Sequence, residues 1–216
     1  MVQTSKRQGQ IALGIQHLRK ADPVMRRTID HVGPCIWKCE RDRFWMLVSS
    51  FLSQQISTAA AQTIKSRLVA LIKSESGSKR VTPASLLSMN VEQLRTAGLS
   101  GRKSEYLLDL ASKVDTGEVT LNTIGRLSNE AVIDALVQIR GIGRWTAEMF
   151  LMFSLGRLDV FPVDDLGVRN AMCNLYQIDS STPGQDLLKI SEPWQPYASI
   201  ATWYCWRSLE ADIPVP

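Results

Sequence analysis

Two glycines bracket one apolar residue in Ile139-Arg140-Gly141-Ile142-Gly143-Arg144-Trp145-Thr146-Ala147, between two segments of helical pattern. Glycines at this spacing let the chain reverse tightly and leave the first N–H groups of the second helix facing outward, with no Cβ in the way. Such donors, at the positive end of a helix dipole, suit a phosphate. Ile142 would plug the turn into the core, while Arg140 and Arg144 add charge on the outer side. An ordinary helix–helix turn with glycine at the C-cap has the same letters, so the pattern alone leaves both readings open. Further on, Asp164 and Asp165 stand together at the start of another helical stretch. The run from Trp145 to Leu155 would span roughly 15–17 Å as a helix, and a loop through Gly156 and Pro162 can return the acidic pair beside the hairpin. Asp164 is the better N-cap candidate, and Asp165 falls one residue inside, where the dipole favours an ionised carboxylate. A carboxylate held there could stabilise developing positive charge or take a proton from water; a pair of plain helix-start acids is the alternative.

Three other places have chemistry-bearing residues. Trp194 lies between Pro193 and Gln195-Pro196, a stiff loop suited to presenting an indole, whereas Trp37, Trp45, Trp203 and Trp206 read as core or interface. Ser53-Gln54-Gln55-Ile56-Ser57 breaks the apolar pattern between two helices, with Ser57 a natural N-cap for the second. Arg102 and Lys103 open a further helix, where they could touch phosphate or simply be solvated. His31, Cys35 and Cys39 recur every four residues, a spacing that could face a metal on one helix, but Gly33-Pro34 interrupts that helix and no fourth ligand follows.

The elements that must carry these residues are helical. Phe44, Leu47, Val48, Phe51 and Leu52, then Ala61, Ile64, Leu68 and Leu71, recur at three- and four-residue spacings, predicting two consecutive buried helices. Thr82-Pro83 reads as an N-cap followed by proline at the first helical position, ending the polar crossover of residues 73–81. Amphipathic stretches follow at 86–94, 103–114 and 129–139, an apolar helix at 145–155 and an aromatic-rich last helix at 196–210. The 216 residues, 44% hydrophobic with 25 Lys+Arg against 21 Asp+Glu, exclude a disordered or fibrous chain and lean toward a polyanionic partner. No apolar run reaches membrane-spanning length, and the start MVQTSKRQGQ lacks the core of a secretory signal. Four scattered cysteines make no disulfide framework, so an intracellular protein is expected.

Together, Ile139–Ala147 and Phe161-Pro162-Val163-Asp164-Asp165-Leu166-Gly167-Val168 resemble the helix-hairpin-helix, Gly/Pro-rich loop and Asp signature of the base-excision DNA glycosylase superfamily. The wording is most similar to the 3-methyladenine DNA glycosylase II branch: Phe51–Ser57 resembles its DNA-facing turn and Trp194-Gln195-Pro196-Tyr197 its C-terminal pocket motif. The resemblance implies an all-α helix-hairpin-helix DNA glycosylase fold of two helical subdomains with an active-site cleft between them. Residues 40–155 would form one subdomain, with the wedge turn and hairpin; residues 11–39 and 156–216 would form the other, after a flexible basic N-terminus at 1–10. The bacterial relative's additional N-terminal β domain is not expected, since the helical core starts so early.

The same resemblance implies the chemistry. Asp165 matches the family's catalytic Asp, with Asp164 as helix cap. Members that also cut the strand carry a Lys where this chain has Trp145, which implies a monofunctional enzyme without lyase activity. Trp145 and Trp194 would line the base pocket, with Met149 standing where a close relative has tyrosine. Gln55, supported by Gln54, would wedge into the gap left by a flipped nucleotide, with a plain turn capped by Ser57 as the other reading. Gly141, Gly143, Arg144, Thr146, Arg140, Arg102 and Lys103 would meet DNA phosphate. A monovalent Na+ or K+ could sit on the backbone carbonyls of Val137, Ile139 and Ile142; otherwise no cofactor is implied, and two cysteines in the C-terminal half are too few for an iron–sulfur cluster. The expected partner is double-stranded DNA containing alkylated bases such as 3-methyladenine and 7-methylguanine, handled by a monomer in cytoplasm, nucleoid or nucleus and not at a membrane. Two alternatives stay open: a glycosylase for uncharged lesions (uracil, hypoxanthine, ethenoadenine), and a non-catalytic helix-hairpin-helix DNA-binding module.

Overall fold

The computed structural model describes residues 2–78 and 80–211, with no strand among them. In chain order the α-helices are α1 (Val2–Ala21), α2 (Pro23–Val32), α3 (Arg43–Ser53), α4 (Thr58–Ser76), α5 (Pro83–Leu87) and α6 (Val91–Thr96). After them come α7 (Gly101–Asp115), α8 (Asn129–Val137), α9 (Arg144–Phe150), α10 (Leu166–Tyr176), α11 (Gly184–Ser191) and α12 (Ala198–Ser208). The chain divides into two compact units, one of Glu40–Leu155 and one of Met1–Cys39 with Gly156–Pro216.

In the unit Glu40–Leu155, short polar residues stop and start nearly every helix. Asp42 caps α3 by accepting from Trp45 N at 2.9 Å, and Ser57 caps α4 through Ala60 N at 3.3 Å. Thr82 caps α5 in a reciprocal box with Ser85, and Pro83 takes the first helical position, where its missing N–H costs nothing. The stretch 86–94, expected as one helix, is two: Asn90 forms a second capping box with Gln93, both bonds 2.9 Å, and restarts the chain as α6. Leu47, Val48, Phe51 and Leu52 from α3 are fully buried, as are Leu68 of α4, Leu107 and Leu110 of α7, Leu136 of α8 and Phe150 of α9. Each such side chain contributes about 1.5–3 kcal/mol of burial free energy. The expected helix 145–155 also divides, because α9 ends at Phe150 and Leu151–Leu155 continues as a π-helical turn. Its Phe153 carbonyl accepts Glu40 N at 2.8 Å, so one of the carbonyls displaced from the α-ladder is satisfied outside the helix.

In the other unit, α1, α2, α10 and α12 pack together. Residues 2–10, expected to be flexible, form the first turns of α1. The Arg7 guanidinium lies 4.8 Å from the centroid of the Trp37 ring. Gly14 lets α1 approach α12 closely: a Cβ at this position would come 2.4 Å from Ile200 Cδ1 and 2.7 Å from Tyr197 Cδ1.

Candidate functional site

The hairpin between α8 and α9 has a different reason for each glycine. Gly141 has φ +85°, and a Cβ on it would fall 2.2 Å from Cδ2 of Tyr106, which packs beneath the turn from α7. Gly143 is extended, at φ −98° and ψ 174°, and a Cβ there would meet nothing within 4 Å. Nothing in the protein itself thus demands glycine at 143, and the backbone there is open to a close approach from outside. Gly143 N-caps α9 with no side-chain bond to the first-turn N–H groups, while Ile142 is buried as the plug of the turn.

The turn before α4 is tied to this hairpin. Gln54 ends α3, and its Nε2 donates to the Gly141 carbonyl at 3.3 Å. Lys103 reaches from α7 to donate through Nζ to the carbonyls of Gln54, at 2.8 Å, and Leu52, at 3.4 Å. Partial burial lowers the Lys103 pKa from the usual lysine value. Gln55 is exposed and adopts φ 57°, a left-handed conformation that is uncommon for a residue with a Cβ.

In the unit that holds α10, the carboxylate of Asp165 is 8% exposed and caps that helix. Its Oδ1 accepts from Val168 N at 2.8 Å and from the indole Nε1 of Trp206, on α12, at 2.9 Å. Gly167 leaves room for this contact: a Cβ there would sit 3.1 Å from Asp165 Oδ1 and 3.1 Å from Trp206 Cδ1. An ionisable group held by two N–H donors at a helix N-terminus can meet positive charge that develops next to it.

An open glycine hairpin followed in the same chain by a clamped aspartate is the pairing that the sequence motifs resembled. Residues 48–196 match the model of the HhH-GPD superfamily base excision DNA repair protein. The chain belongs to this superfamily. It is 35% identical to DNA-3-methyladenine glycosylase 1 of Schizosaccharomyces pombe over 93% of this chain and 89% of that one. A solved structure of the 3-methyladenine DNA glycosylase of that yeast in complex with abasic DNA superposes with a TM-score of 0.79 at 33% identity, covering 94% of this chain and 99% of the other. DNA-3-methyladenine glycosidase from Bacillus halodurans gives a TM-score of 0.80 at 33% identity, over 90% and 88% of the two chains. The superfamily and its 3-methyladenine branch are therefore the ones the motifs pointed to.

Several residues of this glycosylase-superfamily chain stand differently from their sequence expectation. Asp164 does not cap the helix: it is exposed, and Asp165 itself takes the cap, because its side chain is the one that reaches the N–H three residues on. Trp194 is not presented by its prolines. It is fully buried, edge-on to Phe161 with centroids 5.4 Å apart, and its Nε1 donates to Asp22 Oδ2 at 2.9 Å. The indole is thereby an interior anchor with no open face for a base. Trp145, by contrast, is 46% exposed on the first turn of α9, and Met149, one turn on, is buried.

The expected phosphate contacts also separate. Arg144 is held by Glu130 through bonds of 2.9 and 2.6 Å and by Glu148 at 3.1 Å, and the Arg144 hydrogen bonds hold the Glu130 carboxyl below the usual range. Arg140 faces Glu105 at 3.4 Å and lies over the Tyr106 ring. These guanidiniums are directed at carboxylates, and the Lys103 ammonium at the carbonyls ending α3, so none is poised at a phosphate by itself. The Thr146 side chain is buried, and Arg102 is exposed. Of the carbonyls expected to hold a monovalent cation, that of Ile139 accepts Ile142 N at 3.0 Å, and Lys113 Nζ bonds the neighbouring Gln138 carbonyl at 3.0 Å. Neutral carbonyls at the negative end of α8 are chemically suited to a weakly held monovalent ion. Among the described residues no three of His, Cys, Asp and Glu come together as a metal site. Cys35 and Cys39 are part-buried thiols whose pKa burial raises. Sequence reasoning missed Trp206 and Tyr106, which lie 41 and 35 positions from the residues they serve. The one local hint was Gly167, a small residue two positions after Asp165.

Proposed function

We infer that this protein is a monofunctional DNA glycosylase of base excision repair, which hydrolyses the N-glycosidic bond of flipped-out alkylated purines, 3-methyladenine and 7-methylguanine, and leaves an abasic site. The observation that carries the reading is the clamped carboxylate of Asp165 in a chain of this superfamily. Cleavage of the glycosidic bond develops oxocarbenium character on the sugar, which a fixed carboxylate beside C1′ stabilises electrostatically. A water oxygen bonds to C1′ and gives its proton to the Asp165 carboxylate, while the purine leaves with the glycosidic electron pair. A purine methylated at N3 or N7 carries a formal positive charge that those electrons neutralise, so it is a good leaving group. The half-exposed Trp145 indole offers such a cationic ring an electron-rich face.

The substrate is double-stranded DNA, gripped at the hairpin by the outward N–H groups after Gly143. A monovalent cation on the carbonyls of Val137, Ile139 and Ile142 would add charge under that phosphate. Gln55, exposed in its left-handed turn, fills the gap left by the flipped nucleotide. With Trp145 where lyases have lysine, no amine is placed there to form a Schiff base. The test is chromatography of bases released from duplex DNA treated with a methylating agent. Wild type is expected to release methylated purines and Asp165→Asn to lose at least about 1000-fold in rate; duplex binding without release by wild type would overturn the reading and leave a binding module or a glycosylase for an uncharged lesion. Borohydride present during turnover should trap no protein–DNA adduct.

A further inference from the structure

We propose that Trp206 is a positioning residue for the reaction, setting the plane of the Asp165 carboxylate from α12, an inference that rests on Asp165 being the catalytic carboxylate. An N-cap bond alone ties a carboxylate to its own helix and leaves it able to turn about its last side-chain bond. Here the second donor comes from a different element. Trp206 Nε1 and Val168 N converge on the same oxygen, Oδ1, at 2.9 and 2.8 Å, so the carboxylate is held from two directions. An indole N–H only donates, which suits an acceptor that must stay oriented through the reaction.

Gly167 shows that the structure accommodates this bond. Its φ lies outside the left-handed region, so the backbone does not call for glycine. What calls for it is space: a Cβ would stand 3.1 Å from Asp165 Oδ1, 3.1 Å from Trp206 Cδ1 and 3.3 Å from Trp206 Nε1. An alanine at 167 would push the carboxylate and the indole away by a few tenths of an ångström without straining the backbone. Misplacing a reacting group by about 1 Å costs on the order of a hundredfold in rate, so both changes should be visible in kcat.

The experiment compares wild type, Trp206→Phe, Gly167→Ala, Asp165→Asn and the Trp206→Phe/Asp165→Asn double variant. Excision of methylated purines, affinity for abasic-site duplex and melting temperature are measured for each. Trp206→Phe keeps an aromatic ring and removes the donor; it should lower kcat by roughly 10- to 100-fold with KM and abasic-site affinity changed by less than about twofold. Gly167→Ala should shift kcat in the same direction, and it carries the test if Trp206→Phe melts below the assay temperature. In the Asp165→Asn background the Trp206 substitution should cause no further loss. Wild-type kcat in Trp206→Phe and Gly167→Ala, or an equal loss with and without Asp165, overturns the inference while leaving Asp165 in place. Near-normal excision by Asp165→Asn overturns the functional reading and this inference with it.

Discussion

Asp22 and Asp165 are built alike and surrounded differently. Each is a nearly buried aspartate that N-caps a helix and accepts a tryptophan indole N–H from a distant segment. Asp22 is enclosed on every side: Oδ1 takes Val24 N at 2.8 Å and Met25 N at 3.1 Å, while Oδ2 takes Trp194 Nε1 at 2.9 Å and the Tyr176 hydroxyl. Burial and that neighbouring carboxylate push the Tyr176 phenol far above its ordinary pKa, so the hydroxyl remains a donor across the physiological range. Asp165 accepts from Val168 N and Trp206 Nε1 on Oδ1, and the flanking Asp164 and Leu166 are both exposed. Burial and good bonding do not by themselves mark a reactive carboxylate. The bonds of Asp22 rivet α2 to α10 and to Trp194; under the proposed function, Asp165 is the carboxylate that meets the sugar.

Substitutions can break or sharpen this contrast. The largest expected stability effect is that of Asp22→Ala, which removes a helix cap and strands the Trp194 and Tyr176 donors in the interior. It should cost about 3–5 kcal/mol and lower the melting temperature by roughly 10 °C. Gly141→Ala comes next, at about 2–4 kcal/mol in denaturant unfolding, from the positive φ and the overlap with Tyr106. Trp194→Phe should lose about 1–3 kcal/mol, since it keeps a ring beside Phe161 but leaves Asp22 short of one donor. Gly143→Ala should be the mildest in stability, within about 1 kcal/mol of wild type, because its Cβ meets open space. Its cost should appear as weaker duplex binding at the hairpin, read by fluorescence anisotropy; equal binding would show that phosphate does not approach there.

The contrast was only half legible in the sequence. Caps written with adjacent letters were readable, as Thr82-Pro83 and Ser57 show, and so was the hairpin, whose glycines and plug follow from local geometry. The motif singles out Asp165, but propensity cannot tell which of two neighbouring aspartates caps the helix, and the cap is Asp165 and not Asp164. Two tryptophans stand differently from their sequence expectation. Trp194 looked presented by its prolines, and Trp206 looked like packing, because their partners Asp22 and Asp165 lie 172 and 41 residues away and only the fold brings them near. The arginines of the hairpin looked free for phosphate for the same reason, since Glu130 and Glu105 meet them only across helices.

The most direct test of the central claim is single-turnover excision of methylated purines by Asp22→Asn and Asp165→Asn, each assayed well below its own melting temperature. The expected result is a crossing: Asp165→Asn melts within a few degrees of wild type but excises at least about 1000-fold more slowly, while Asp22→Asn melts early and, when folded, excises within about tenfold of wild type. A folded Asp22→Asn as inactive as Asp165→Asn, or an Asp165→Asn that keeps near-wild-type excision, would contradict the assignment of one aspartate to structure and the other to chemistry.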